Sequence, residues 1–397
     1  MRRSNLLESI DKITLLVALS LAIFMPFSDH IKDAQLKLTI LVVLGAYSWL
    51  KILFFRLNKI HWGFASYLIA ALVVLLIMIG CLSSGYKNIA GIYFSQISVV
   101  PLLAIIGIAL NSSFLKPQFI AKGVFVSSAL VAFLAFPYDM LRYHELIIGR
   151  LNGTLAQSNI LAVYISAGLI IGFYWLVTNT YKDKKYILVA VEAYMLFMVV
   201  LTQTRFIVIL LSLMALTYFA LSAKKDKKLV VIAIATILFV IGSVFVANNR
   251  QIGPKAIDNS ISYRLHLQSK AFSGDSIKLI QNNGTDRLMN KLDCKNLNSA
   301  KDLNRTCSSG FVFTSYHNQF LDRTVQFGWL FGISYVAVIV TGLVAFYRQR
   351  SNKLFVAIGS ACTVTVLYYF TNVTSIELEL LLWVLMLQGL AVYLRRI

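Results

Sequence analysis

The sequence is poor in charged residues and prolines, and both shortages exclude classes of protein. Only 14% of its 397 residues are Asp, Glu, Lys or Arg, against about a quarter in ordinary soluble proteins, while 58% belong to the apolar set AVILMFWYC. Five prolines and the lack of a low-complexity tract leave little room for a disordered tail. The composition therefore excludes a soluble globular protein and predicts an all-α polytopic membrane protein.

Metal-binding patterns are also missing. The sequence has no DxD pair, no cluster of carboxylates, no CxxC and no HxxxH, so we predict neither a metal site nor a cofactor. Of only four cysteines, Cys81 and Cys362 fall in apolar runs, whereas Cys294 and Cys307 lie in a long polar segment with twelve residues between them. In an oxidising compartment this pair is expected to form a disulfide, which would stabilise the segment by about 3 kcal/mol.

Long apolar runs recur along the chain and predict about twelve membrane-spanning helices. The predicted spans lie near residues 13–29, 38–55, 63–81, 89–111, 123–138, 158–178, 186–203, 206–222, 229–247, 325–347, 354–371 and 380–394. The first run is too long for a secretory signal and follows Glu8 and Asp11, so we interpret it as a retained span. The chain then divides into spans 1 to 9 (1–247), one long loop with short helices (248–324) and spans 10 to 12 (325–397).

Positive charge is distributed unevenly among the predicted loops. The net charge is +20, and 20 of the 37 Lys and Arg residues fall on one side of the predicted spans, against six in the short loops of the other side. Because an excess of Lys and Arg marks short cytoplasmic loops, both termini are expected in the cytoplasm and the long loop outside. The cations are then topology determinants next to membrane lipids, and we expect no nucleic-acid partner.

Arg205 is the first outward residue to consider. It belongs to the segment Thr202-Gln203-Thr204-Arg205, which is the whole predicted outward connection between spans 7 and 8. Two interpretations are open. The side chain either reaches the outer headgroups as an ordinary interfacial arginine or presents its guanidinium to an anionic ligand, for which phosphate is the natural match.

The predicted outward loop between spans 5 and 6 forms a second polar, cationic segment. It offers Arg142 and Arg150, then Gly153, which permits close backbone approach, then Gln157 and Asn159. An ordinary interfacial loop and a loop that binds a donor or an acceptor both fit this composition.

The long loop contributes two further elements. Arg264 lies within 261–267, which is predicted to start an amphipathic helix on the membrane surface, and a solvated surface arginine is the alternative. His317 and Asn318 stand where the loop returns to the membrane, and Asn318 is a further candidate contact for the donor or the acceptor. A histidine there is suited to act as a general base, since its unperturbed pKa is about 6.5, while an interfacial structural histidine is the alternative.

In chain order, these elements resemble the bacterial O-antigen ligase and O-antigen polymerase superfamily. The matching elements are Arg150-x-x-Gly153-x-x-x-Gln157-x-Asn159, Thr202-Gln203-Thr204-Arg205, Tyr263-Arg264, and His317-Asn318 followed by Gly328-x-x-x-Gly332. The likeness covers about residues 140–345 and includes the predicted topology with one large periplasmic loop. It implies the GT-C-like glycosyltransferase architecture.

The resemblance also implies an activity. It implies an O-antigen ligase of the bacterial inner membrane, which acts in lipopolysaccharide biosynthesis with its active site facing the periplasm. Polysaccharide would pass from undecaprenyl diphosphate to a sugar hydroxyl of lipid A-core, with inversion and without a metal. The resemblance gives His317 the role of the catalytic histidine, and it assigns Arg205 and Arg264 to the donor diphosphate.

Three alternatives stay open. Arg142 and Gly153 are spaced as R-x10-G, a pattern associated with O-antigen polymerases, which extend carrier-linked repeat units. A related ligase would use a protein or another surface acceptor. A non-enzymatic flippase for lipid-linked oligosaccharides is disfavoured, because transporters usually have repeated halves and here a single long loop dominates one half.

Overall fold

The computed structural model describes residues 43, 45–51, 53–54, 117–143, 151–155, 158–204, 268, 318–327, 329–370, 378–379, 381–386 and 389. All regular elements in these ranges are helical. In chain order they include α1 (Pro117–Tyr143), a 3-10 turn (Gly153–Leu155), α2 (Ser158–Thr178), a second 3-10 turn (Lys182–Lys184), α3 (Lys185–Leu201), α4 (Gln319–Phe327), α5 (Trp329–Arg348) and α6 (Lys353–Tyr369). The helical residues at 378–379, 381–386 and 389 are called the C-terminal helical segment.

Three of these helices are long and apolar enough to cross a membrane. They are residues Pro117–Leu141 of α1, all of α2 and all of α5, and each has at least the roughly 20 residues that span a bilayer core. Large apolar side chains such as Phe133 of α1 and Val340 of α5 remain exposed on their surfaces, as expected for helices in contact with lipid. These helices indicate a membrane protein, and the total of twelve spans stays a prediction.

Small residues bring α1, α2 and α3 together. A Cβ added at Gly168 of α2 would lie 2.8 Å from the Met195 Cε of α3 and would also clash with Ser128 of α1. The Ser128 hydroxyl donates to the Tyr164 carbonyl of α2 at 2.9 Å. Close approach over small residues is the usual way in which helices associate in membranes, where apolar burial alone gives little attraction.

A second set of helices, α5, α6 and the C-terminal helical segment, shares the same hydrophobic core. The Tyr335 and Trp383 rings meet edge to face at 5.8 Å, and Gly342 further along α5 faces Met386, so the C-terminal helical segment runs parallel to α5. Gly359 of α6 approaches Phe346 of α5. The two sets are joined because α2 packs against α6 within one core.

Basic residues occupy the short turns at one end of each helix set. Between α2 and α3, the exposed cations are Lys182, Lys184 and Lys185. Between α5 and α6, they are Arg350 and Lys353, with Arg348 at the end of α5. In both sets, the polar groups described below lie at the opposite end of the same helices.

The helix bounds agree with the predicted spans in some places and differ in others. Helix α2 covers the predicted span 158–178. The predicted span 325–347 corresponds to two helices, α4 and α5, and α4 already begins at Gln319. The start of α4 is not predicted from apolar runs, because Gln319, Asp322 and Thr324 interrupt its apolar residues.

Candidate functional site

Asp139, in the last turns of α1, organises the chain between α1 and α2. Its side chain is buried, and its two oxygens accept hydrogen bonds from the backbone N–H groups of Asn152 (2.8 Å) and Gly153 (2.9 Å). The Asn152 side chain in turn accepts from the backbone N–H of Ser158 at the start of α2, at 3.2 Å. A buried carboxylate with two backbone donors is well compensated for its loss of water, so this loop is held in one shape.

Gly153 meets two local requirements that exclude other residues. Its φ of +57° lies in the left-handed region, and a Cβ at this position would lie 2.8 Å from the Cβ of Ala135 on α1. Glycine adopts this conformation without strain and leaves room for the contact. The close backbone approach at Gly153 is therefore to helix α1, and its role in the predicted site stays a prediction.

The same loop is joined to the end of α3. The backbone N–H of Leu151 donates to the Leu201 carbonyl at 3.2 Å. Immediately after α3, the hydroxyl of Thr202 donates to the Val199 carbonyl at 2.6 Å and lies 2.9 Å from the hydroxyl of Thr204. Asp139, 151–155 and 201–204 together form what we call the first polar group.

The first polar group adjoins several predicted site residues. Leu151 and Thr204 are the sequence neighbours of Arg150 and Arg205, so the chain segments that carry these two arginines are brought together at this end of the helices. Arg150, Gln157 and Arg205 themselves lie outside the described residues. Asn159 is half-buried in the first turn of α2.

Arg142 lies in the last turn of α1, three residues after Asp139, and its side chain is outside the described part of the structure.

Asn318 begins the second polar group. Its side-chain oxygen accepts from the backbone N–H groups of Phe320 (3.1 Å) and Leu321 (3.2 Å), which makes it the N-cap of α4. The site role predicted for Asn318 remains a prediction, and the structure adds a structural one. His317, the residue before this cap, lies outside the described residues.

Glu379 lies at the centre of the second polar group. It is fully buried at the start of the C-terminal helical segment, and its Oε1 accepts from the Gln319 side chain of α4 and from the Tyr335 hydroxyl of α5, both at 2.9 Å. Gln319 and Tyr335 are each only 1% exposed. We define the second polar group as Asn318, Gln319, Tyr335 and Glu379.

Phe370, directly after α6, connects the start of α4 with the long predicted loop through a ring contact and a hydrogen bond. The Phe320 ring lies 4.6 Å from the Phe370 ring, measured between centroids. Gln268, which is helical and four residues after Arg264, donates through its side chain to the Phe370 carbonyl at 3.4 Å. Arg264 itself lies outside the described residues, as do Cys294 and Cys307.

The carboxylates of the two polar groups, Asp139 and Glu379, are not predicted from the sequence. Asp139 and Glu379 stand at the borders of predicted apolar spans, next to residues typical of such borders, and their donors come from other segments of the chain. The capping role of Asn318 did have a local signal, since asparagine directly before a helix is a favoured N-cap. Among the described residues, no three His, Cys, Asp or Glu side chains cluster as metal ligands would.

Glu192 is a third buried carboxyl group and differs from the other two. It lies in the middle of α3, against Gly172 of α2, and its Oε1 has no hydrogen-bond partner among the described residues. It is in neither polar group. Ionisable residues at membrane depth are often functional, but no second polar contact at Glu192 identifies a ligand.

Comparison with known proteins adds no family assignment: no protein-family model matches the chain, and no curated protein matches it.

The two groups have a common chemical character. Each fixes the backbone of a segment that leads directly to an arginine or a histidine of the predicted site, and each does so with buried hydrogen bonds. Such buried networks fix the positions of neighbouring residues more tightly than exposed loops do. This arrangement suits a site that must hold several cationic side chains and a base in defined positions.

Proposed function

We propose that this chain is a glycosyltransferase of the O-antigen ligase type, located in the bacterial inner membrane. It transfers polysaccharide from undecaprenyl diphosphate to a sugar hydroxyl of lipid A-core. One observation carries the proposal: segments that are distant in sequence, and that lead along the chain to predicted site residues, contact one another. The backbone N–H of Leu151, which follows Arg150, donates to the carbonyl of Leu201, four residues before Arg205. Gln268, near Arg264, and Phe320, near His317, both contact Phe370.

The charge distribution supports an outward-facing site. Both polar groups lie at the helix ends opposite to the basic turns, and basic turns favour the cytoplasmic side. In the proposed topology, twelve spans leave both termini in the cytoplasm and the loop 248–324 in the periplasm. The two polar groups then lie at the periplasmic surface, where a lipid-linked donor and an outer-leaflet acceptor are both accessible.

The proposed reaction is a direct displacement at the anomeric carbon. His317 accepts the proton of the acceptor hydroxyl, whose oxygen forms the new bond to the anomeric carbon with inversion. The bond from that carbon to the diphosphate oxygen breaks, and undecaprenyl diphosphate leaves with the electron pair. Arg205 and Arg264 stabilise the charge that develops on the diphosphate, so the proposed reaction requires no metal ion.

A deletion strain tests this proposal. If the chain is a ligase, the deletion strain loses all polymer from lipid A-core while carrier-linked polymer accumulates. The wild-type gene then restores the polymer ladder on a lipopolysaccharide gel. His317→Ala should insert normally but fail to restore the ladder, since loss of a general base lowers the rate by about 100- to 10,000-fold. His30→Ala, in another predicted outward loop, is the matched control and should restore it. A full ladder with well-expressed His317→Ala would contradict the proposal.

The polymerase is a second candidate because of the R-x10-G spacing between Arg142 and Gly153. However, the left-handed φ of Gly153 and its contact with Ala135 already account for a glycine at this position. The spacing is therefore weak support for polymerisation. On the same gel, a deletion strain whose core carries a single repeat unit would identify a polymerase in place of a ligase.

A further inference from the structure

The second polar group joins three helical segments through one carboxylate. Gln319 comes from the first turn of α4, Tyr335 from α5 and Glu379 from the C-terminal helical segment, and all three side chains are almost completely buried. The segments are far apart in sequence, with Gln319 and Glu379 separated by 60 positions. The carboxylate therefore sets the position of α4 relative to two other helices.

A buried carboxylate by itself contributes little to the stability of a fold. Removing such a group from water is unfavourable, and well-packed apolar side chains of similar volume often stabilise a core equally well or better. What hydrogen bonds add is a defined geometry, because an acceptor oxygen binds its donors only over a narrow range of distance and direction. The cluster around Glu379 is thus suited to fixing where the first turn of α4 lies.

The first turn of α4 directly follows the predicted catalytic residue, His317, and its cap in the chain, and three contacts fix its position. Asn318 caps the helix, Gln319 is bound to Glu379, and Phe320 packs against Phe370. His317 is bonded directly to Asn318, and consecutive Cα atoms lie about 3.8 Å apart across a trans peptide bond. A shift of α4 would therefore shift the point at which His317 is attached.

We propose that Glu379 is a positioning residue that holds the start of α4, through Gln319 and Tyr335, so that His317 meets the acceptor hydroxyl. This inference rests on the proposed function. Because Glu379 is fully buried, we assign it an effect on the rate of transfer, while donor binding depends on the arginines of the other segments.

The test compares three variants in purified protein, with kcat and KM measured for the carrier-linked donor. Glu379→Leu replaces the carboxylate by an apolar side chain of similar volume and so removes the hydrogen-bond acceptor. We expect kcat to fall by about 100-fold, because a misplacement of a catalytic group by about 1 Å has an effect of this size. The KM for the donor should change little. Glu379→Gln retains a carbonyl oxygen for both donors and should recover most of the lost kcat. Glu192→Leu removes a buried carboxyl outside both polar groups and should leave kcat unchanged.

A second measurement covers the case in which Glu379→Leu does not fold. Tyr335→Phe and Gln319→Leu each remove one donor, and each should lower kcat with the donor KM nearly unchanged. Combined with Glu379→Gln, each should lose about as much kcat as it loses alone, because the amide oxygen of the glutamine still accepts from both donors. Wild-type kcat in both single variants would overturn the positioning role, and so would an equal loss of kcat in Glu192→Leu.

The outcomes also separate this inference from the proposed function. If the wild type transfers no polysaccharide, or if His317→Ala transfers normally, the proposed function is wrong and the inference falls with it. If the wild type is active, His317→Ala is inactive and Glu379→Leu has wild-type kcat, only the positioning role is wrong.

Discussion

The two polar groups each contain one buried carboxylate, but these carboxylates bind different kinds of donor. Asp139 accepts from two backbone N–H groups of a neighbouring loop, whereas Glu379 accepts from the side chains of two other helices. The first arrangement depends on the path of the chain and on very few side chains. The second depends on the identity of each partner, so single substitutions at several positions can disturb it.

Glu192 is a buried carboxyl group outside both polar groups. It is buried like Asp139 and Glu379, but its Oε1 lacks a hydrogen-bond partner in the described part of the chain, whereas the Oε1 of Glu379 accepts from two side chains. Burial alone therefore does not identify a structurally important carboxylate here. A structurally important carboxylate is identified by the hydrogen-bond donors around it. Substitutions at Asp139, Glu379 and Glu192 should therefore differ in their effects.

The largest effect is expected for Asp139→Ala. It leaves the buried N–H of Gly153 and the half-buried N–H of Asn152 without an acceptor. A buried donor without an acceptor costs about 1 to 3 kcal/mol and a half-buried one costs less, so unfolding should become easier by about 2 to 5 kcal/mol. Asp183→Ala, at an exposed carboxylate in the turn between α2 and α3, is the matched control and should have a small effect. Thermal unfolding in detergent measures both, and equal stability of the two variants would remove the role given to Asp139.

Gly153→Ala should have the next largest effect. A side chain in the left-handed region costs about 1 to 2 kcal/mol, and the contact with Ala135 adds overpacking of similar size. Gly153→Asn separates the two causes, since asparagine tolerates the left-handed conformation but not the contact. The same unfolding assay applies, and wild-type stability of Gly153→Ala would show that the loop adapts freely.

Tyr335→Phe should weaken the second polar group by a smaller amount. It removes one donor to the Glu379 carboxylate, which corresponds to about 1.5 to 3 kcal/mol for a hydrogen bond to a charged group. Tyr347→Phe, at an exposed tyrosine of the same helix, is the control. If the two variants unfold at the same temperature, the hydrogen bond to Glu379 does not stabilise the fold.

Glu192→Leu should change stability least, and it is the one substitution that can increase it. Replacing a buried polar group that lacks a full set of partners by an apolar side chain is often neutral or stabilising. A loss as large as that of Asp139→Ala would mean that Glu192 has an essential partner, and the contrast among the three carboxylates would then fail.

The sequence predicts some of these features well because their signals are local. The bounds of α2 follow from an uninterrupted apolar run, and the close approach at Gly153 follows from glycine at a polar loop. The hydrogen bonds of Asp139 and Glu379 are not predictable in this way, because a carboxylate at the border of a span has the same local sequence whether its donors are water or a distant helix. The break between α4 and α5 was missed for a related reason: one side of α4 is polar, and its packing partners lie elsewhere in the chain.

We propose that the chain transfers a lipid-linked glycan with His317 as the base. The most direct measurement supplies purified protein in lipid vesicles with undecaprenyl-diphosphate-linked polysaccharide and lipid A-core, and follows the polymer-bearing core by gel. We expect transfer by the wild type and by His30→Ala, and none detectable for a correctly folded His317→Ala. Equal transfer by His317→Ala, or no transfer by the folded wild type, would contradict it.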